Sequence, residues 1–187
     1  MPDQDERDAV VASEKPRGKG RSASLPKLNL CGDIGLKIAR DGTWYYQGGP
    51  FTRKPLVKLF ASVLRLEEDG HYYLVTPAEQ VPIAVESLPF VAVEMRREGE
   101  GEAQALTFRT NVDDIVTAGI DHPLGFQPGA LGGFTPYVLI RGGLKARLAR
   151  SVYYELAALA VEGGGPKQLG IWSSGVFFPF PAPDPNV

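Results

Sequence analysis

Five cations in this chain stand close to glycine pairs, a setting suited to the capture of an anion. Arg53 and Lys54 follow Gly48-Gly49, while Arg141, Lys145 and Arg147 surround Gly142-Gly143. Both groups fall where the residue pattern expects a helix to begin. A helix start presents free backbone N–H groups and a partial positive charge, so each cation placed there costs about 0.3–1 kcal/mol. A bound phosphate or carboxylate reverses that cost, and glycine lets it approach the backbone closely. The competing reading is that these long side chains reach solvent or pair with Asp and Glu elsewhere.

Three further groups can do chemistry. Arg109-Thr110-Asn111 closes an apolar run and precedes Asp113-Asp114. Arginine there can grip an anion and asparagine a base or sugar edge. Equally, Arg109 can pair with Asp113 while Asn111 closes a local turn. Asp121-His122, with Asp113 and Asp114 upstream, is the best metal or acid–base candidate, since a carboxylate can orient an imidazole or share a cation with it. With only two histidines and no His-Glu-x-x-His spacing, a structural loop histidine is favoured. Ser173-Ser174-Gly175 lacks the flanks of a nucleophile elbow, Cys31 has no base beside it, and Gly163 to Gly165 precede Pro166 as a helix stop. Trp44, Tyr45, Tyr46 and Trp172 can stack on a base, although aromatics in strands are usually core. No catalytic or metal set is assigned, and no cofactor is named. The candidate ligand-binding residues are Arg53, Arg109, Asn111, His122, Arg141, Gly142, Gly143 and Arg147.

The elements that must position them read as one small unit used twice. Trp44 to Val63 and Tyr137 to Leu156 each run aromatic strand, glycine pair, basic turn and amphipathic helix, in register after a shift of roughly 93 places. The helices are expected near Arg53 to Leu66, capped by Thr52, and near Leu144 to Val161. Around them the expected strands are Ile34 to Arg40 with Thr43 to Tyr46 about the turn Asp41-Gly42, and Tyr72 to Thr76 with Val81 to Val85. Later come a long hairpin of Phe90 to Met95 and Ala105 to Thr110, a short strand Ile115 to Ala118, and a closing hairpin of Leu169 to Trp172 and Val176 to Phe180. Asp121 to Gly133 reads as a loop. Strands and helices do not alternate strictly, so the fold class is α+β, a tandem duplication of two similar, mainly antiparallel sheet-plus-helix halves. The expected divisions are residues 1–26 as a disordered tail, 27–89 as the N-terminal half and 90–187 as the C-terminal half. The seam between two packed halves is a natural place for a pocket.

Composition narrows the class. A chain of 187 residues that is 43% apolar supports one ordinary domain or two small ones. Its net charge of −2 supplies no basic field for nucleic acid, and a single cysteine excludes an internal disulfide. No segment has the apolar length of a membrane span or a signal-peptide core, so a cytoplasmic protein with no membrane partner is expected. Met1 to Pro26 carries an acidic block, then Lys15, Arg17, Lys19 and Arg21, with too little apolar surface to offset the entropy of ordering. Deleting Met1 to Ser24 is therefore expected to leave cooperative unfolding in urea almost unchanged; a loss of several kcal/mol would show that the tail docks.

Several blocks together resemble the bacterial domain-of-unknown-function family 1285. They are Ile38-Ala-Arg-Asp-Gly-Thr-Trp-Tyr-Tyr-Gln-Gly-Gly-Pro-Phe, Leu56-Val-Lys-Leu-Phe-Ala-Ser-Val-Leu and Asp69-Gly-His-Tyr-Tyr-Leu-Val-Thr-Pro. Phe108-Arg-Thr-Asn, Asp121-His-Pro-Leu and Pro136-Tyr-Val-Leu-Ile-Arg-Gly-Gly-Leu-Lys-Ala belong with them. The resemblance implies a tandem duplication, a second half loosely similar to pleckstrin-homology folds, and a signalling role with a nucleotide-like ligand at the seam. It implies no established activity. The leading expectation is a non-enzymatic ligand-binding or sensory protein taking a small anionic ligand between its halves. The alternatives are a metal-assisted hydrolase using Asp113, Asp114, Asp121 and His122, which requires those side chains to converge, and a protein-interaction module with a filled seam.

Overall fold

The computed structural model of the protein describes residues 29–30, 32, 34–128, 133–165 and 168–181. The expected disordered tail and Cys31 lie outside these residues.

Two sheets follow one plan. In the first, β2 (Leu36–Ile38), β3 (Trp44–Tyr46) and β4 (Gly49–Pro50) form an antiparallel meander. Helix α1 (Lys54–Val63) leads to a second meander of β5 (Leu64–Leu66), β6 (Tyr72–Val75) and β7 (Glu79–Val85). The meanders join where β7 runs parallel to β2, with Lys37 opposite Ala84, giving the order β4-β3-β2-β7-β6-β5. Strand β1 (Asn29–Leu30) lies parallel to the start of β7. In the second sheet, β8 (Phe90–Glu98), β9 (Ala105–Thr110) and β10 (Ile115–Thr117) make one meander. Its partner is β11 (Leu124–Pro128), β12 (Phe134–Arg141) and β13 (Leu144–Leu148). They join where β13 runs parallel to β8, with Ala146 opposite Phe90, in the equivalent order β10-β9-β8-β13-β12-β11. Helix α2 (Arg150–Ala157) follows, and β14 (Val161–Glu162), β15 (Leu169–Ser173) and β16 (Val176–Pro179) form a small third sheet. The fold is α+β, mostly sheet, with two similar halves.

The repeat lies in strand order, and the helices do not share it. Helix α1 connects the two meanders of the first half, whereas residues 118–123 make that connection in the second half without a helix. Helix α2 instead follows the last strand. The shift of roughly 93 places therefore sets β3 against β12, β4 against the Gly142-Gly143 turn, and α1 against the end of β13 and α2, which are not equivalent elements. The expected helix from Leu144 to Val161 divides into strand β13 and helix α2. Leu144 and Leu148 are four apart, a spacing compatible with period 3.6 and with period 2. Lys145 and Arg147 alternate with buried Leu144, Ala146 and Leu148, so period 2 prevails. Gly142 and Gly143, at φ of 49° and 79°, form the two-residue turn that folds β12 back onto β13. Two smaller corrections follow. Helix α1 ends at Val63 with Arg53, not Thr52, as its N-cap, and the expected loop Asp121 to Gly133 contains β11.

One continuous buried cluster underlies both halves. Leu36, Ile38, Trp44 and Leu64 of the first half belong to it, as do Phe90, Phe108 and Val138 of the second. Val152 and Leu156 of α2 join the same cluster. Trp44 is core, stacked on Phe60 with ring centroids 6.3 Å apart. Ser173 ties the third sheet to the second, accepting from the Leu106 N–H at 3.0 Å and donating to the Ala118 carbonyl at 2.8 Å. Among the described residues no helix is long and apolar enough to cross a membrane.

Candidate functional site at the seam

The first half meets the second through the Arg40–Thr43 turn and the end of α1. At the turn, Gly42 is buried at a φ of 86°, a conformation that an L side chain rarely adopts. A Cβ there would lie 2.8 Å from both Asn111 Nδ2 and Val91 Cγ2, so only glycine fits. Asn111 Nδ2 donates to the Gly42 carbonyl at 3.2 Å, and its Oδ1 accepts from the Val91 N–H at 3.0 Å. Arg147 Nε donates to the Arg40 carbonyl at 2.7 Å.

At the end of α1, Arg141 Nη2 donates to the Ala61 carbonyl at 2.8 Å, while Nη1 pairs with Asp114 at 2.5 Å. The same guanidinium lies 5.2 Å from the Phe90 ring centroid. A cation at a helix C-terminus complements the negative end of the helix dipole. Lys58 of α1 pairs with Asp113 nearby. Three residues expected to hold a ligand (Asn111, Arg141 and Arg147) thus each donate to a backbone carbonyl of the opposite half. They bind a polar group, but one supplied by the chain itself.

The remaining candidates are dispersed. Arg109 donates to Glu94 at 2.8 and 2.6 Å and to Asp113 at 3.0 Å, which follows the expected alternative of an ion pair. His122 sits in the loop before β11, its Nδ1 3.1 Å from the Leu139 carbonyl. Gly142-Gly143 make a hairpin turn, with Leu66 Cδ2 only 3.1 Å from where a Cβ of Gly143 would stand. Lys145 lies in β13 with its ammonium 4.2 Å from the Tyr137 ring centroid. Of the five cations, only Arg53 and Lys54 stand at a helix start, where Arg53 is exposed and no acidic residue occupies the first turn. Asp113 and Asp114 are engaged by cations and His122 by a carbonyl. No group of three or more His, Cys, Asp or Glu among the described residues is placed to hold a metal. The convergence required by the hydrolase alternative is not met.

What the seam does contain is a cleft of about 430 Å³. Arg40, Asp41 and Glu86 line it from the first half, and Phe134, Thr135 and Arg147 from the second. Both carboxylates are already satisfied. Glu86 accepts from Lys37 at 2.5 Å and from the Arg40 N–H at 2.9 Å, and Asp41 accepts from the Thr43 N–H at 2.9 Å. Arg147 is half-buried and forms no ion pair among the described residues. Burial lowers its proton affinity, Asp41 opposes that, and the Arg40 cation adds to it. Two cations, Arg40 and Arg147, and two carboxylates, Asp41 and Glu86, thus line the cleft, and of the four Arg147 is the one that burial leaves least compensated. Phe134 is 48% exposed on the same wall, an apolar surface available to a ligand. Arg40 and Phe134 were not among the sequence candidates. The only signal for Arg40 was its position immediately before the Asp41-Gly42 turn, and Phe134 offered none beyond the glycine-rich stretch preceding it.

The seam carboxylates also set an acid limit. Hydrogen bonds from Lys37 and then Arg40 hold the Glu86 carboxyl below its ordinary value, and those from Lys58 and Arg109 do the same for Asp113. A depressed folded-state value contributes stability that is present above the unfolded value and lost as pH falls through the folded one. Denaturation midpoints are thus expected to stay flat between pH 7 and about 5 and to fall below about pH 4. A midpoint that rises on acidification would contradict these pairings.

Two family models match the chain. Residues 26–88 match the N-terminal domain of DUF1285, a domain of unknown function, and residues 89–180 match the C-terminal domain of the DUF1285 protein of unknown function. The fold is similar to a crystal structure of a DUF1285 family protein from Silicibacter pomeroyi DSS-3, with a TM-score of 0.77 and 45% identity over 82% of each chain. It is also similar to a DUF1285 family protein from Shewanella baltica OS155, with a TM-score of 0.53 and 26% identity over 67% of this chain and 91% of that one. None of the curated proteins compared with the chain matches it.

Proposed function

The chain belongs to the DUF1285 family, which is described only as of unknown function, and from that premise we propose a non-enzymatic, cytoplasmic ligand-binding protein of bacterial signal transduction. Its ligand is a small anion, nucleotide-based, held in the cleft between the halves. The observation that carries this reading is Arg147: half-buried, beside a second cation, and facing a cleft of about 430 Å³ with no ion pair among the described residues, Asp41 acting on it only from beyond ion-pair distance. Such a group is poorly compensated alone, and an oxyanion meets its fork geometry. The cleft volume falls in the range usual for small-molecule sites, and Phe134 offers a face for a planar body. The order of the second half, six strands followed by α2, supports its likeness to pleckstrin-homology folds.

A thermal-shift screen against nucleotides, cyclic dinucleotides and inorganic phosphates tests the proposal, run before and after refolding to strip any copurified ligand. Binding to the native state alone raises the midpoint with ligand concentration. The expected result is a rise for phosphate-bearing compounds and none for nucleosides. A flat response across the panel would overturn it.

A further inference from the structure

We infer that occupancy of the cleft by an anion and seating of the Arg40–Thr43 turn on the second sheet are coupled through Arg147. The inference rests on the anion-binding reading above and adds how that site is regulated. One guanidinium serves both events: its Nε holds the Arg40 carbonyl at 2.7 Å, and the same side chain lines the cleft.

The turn is a discrete element suited to such a role. Strands β2 and β3 belong to the first sheet and share no ladder with the second. The polar ties from the second sheet to the turn are Arg147 to Arg40 and Asn111 to Gly42, with Gly42 packed against Val91. Within the turn, the Gly42 N–H donates to the Ala39 carbonyl and the Ala39 N–H to the Thr43 carbonyl, each at 2.9 Å. These two bonds hold it together as one unit.

A ligand shifts a conformational equilibrium only by the difference in its affinity for the two states. That difference is present here. Arg40 and Asp41, of opposite charge, both line the cleft and leave together when the turn lifts, so the difference lies in Arg147. With the turn seated, the Arg40 carbonyl fixes its guanidinium through Nε and an anion meets a pre-oriented fork, whereas with the turn lifted the anion must order that side chain itself. The anion also supplies the ion-pair partner that Arg147 lacks among the described residues. Linkage is reciprocal, so whatever unseats the turn must weaken the anion. Two substitutions unseat it without touching the cleft. Asn111→Ser removes the donor to Gly42, and Gly42→Ala forces a Cβ against Val91 and Asn111.

The test uses the full chain with inorganic pyrophosphate as probe, calorimetry for affinity, and hydrogen exchange of the Asn111 side-chain amide, which donates to the turn at the Gly42 carbonyl and does not line the cleft. In the wild type, saturating pyrophosphate is expected to slow exchange at this amide by about threefold or more. Asn111→Ser and Gly42→Ala, assayed where each is folded, are expected to weaken pyrophosphate by about threefold or more. Pyrophosphate that binds without changing exchange at this amide, or that binds both variants as tightly as wild type, overturns the coupling and leaves the site standing. Absence of any pyrophosphate binding to the wild type overturns the site and the coupling with it.

Discussion

Arg141→Ala is expected to lower the stability of the protein by about 2 kcal/mol, through loss of α1's anchorage on the second half. The arginine has three partners at once: the Asp114 carboxylate at 2.5 Å, the Ala61 carbonyl at 2.8 Å, and the Phe90 ring. Removing it leaves a half-buried carboxylate without its cation and weakens the closure of the α1 C-terminus. Breaking a fully buried pair costs more, about 3–5 kcal/mol, but both side chains here keep roughly a third of their exposure. Arg141→Lys should recover only part of the loss, because one ammonium cannot reproduce the planar fork that reaches two acceptors. Urea unfolding at pH 7 measures both variants. A change below about 0.5 kcal/mol for Arg141→Ala would place the tie among ordinary surface contacts.

Arg147→Ala is expected to behave in the opposite way, weakening an anionic ligand by about tenfold or more while altering stability little. Charge-assisted contacts of this kind contribute about 1.5–3 kcal/mol, which sets the expected loss of affinity. The stability effect is small because two consequences oppose each other. The Arg40 carbonyl loses its donor, yet a half-buried cation whose proton affinity is already lowered by burial is removed as well. Arg109→Ala provides the contrast. Its guanidinium is committed to Glu94 and Asp113 and does not line the cleft, so affinity should be unchanged.

Much of the local structure is legible in the residues themselves. Asp41-Gly42 announces the turn that the first half presents to the second, and Pro55 before the helical spacing of Leu56, Leu59, Phe60 and Val63 announces α1. Alternation marks β9, where Leu106, Phe108 and Thr110 are buried and their neighbours half-buried. The failures are of two kinds. Leu144 and Leu148 satisfy both the helical and the strand period, and the decisive information, that Ala146 pairs with Phe90 more than fifty residues away, is nonlocal. The duplication lies in strand order, whereas the local similarity joins segments that occupy different places in the two sheets.

The site was legible as residue types more than as an arrangement. The sequence readily shows that Arg109, Arg141 and Arg147 are unusual, but the partner of each cation is a property of the fold. Arg109 has Glu94 as its cross-strand partner in β8, Arg141 faces Ala61 from eighty residues away, and Arg147 alone faces the cleft. No pattern within the chain separates these three outcomes.

The most direct test of the central claim is calorimetric titration of refolded wild type and Arg147→Ala with the strongest phosphate-bearing compound from the thermal-shift panel. A saturable wild-type isotherm, weakened about tenfold or more by the substitution while urea midpoints stay close, is the predicted result. Equal affinity in the two proteins would contradict an anion site at the seam.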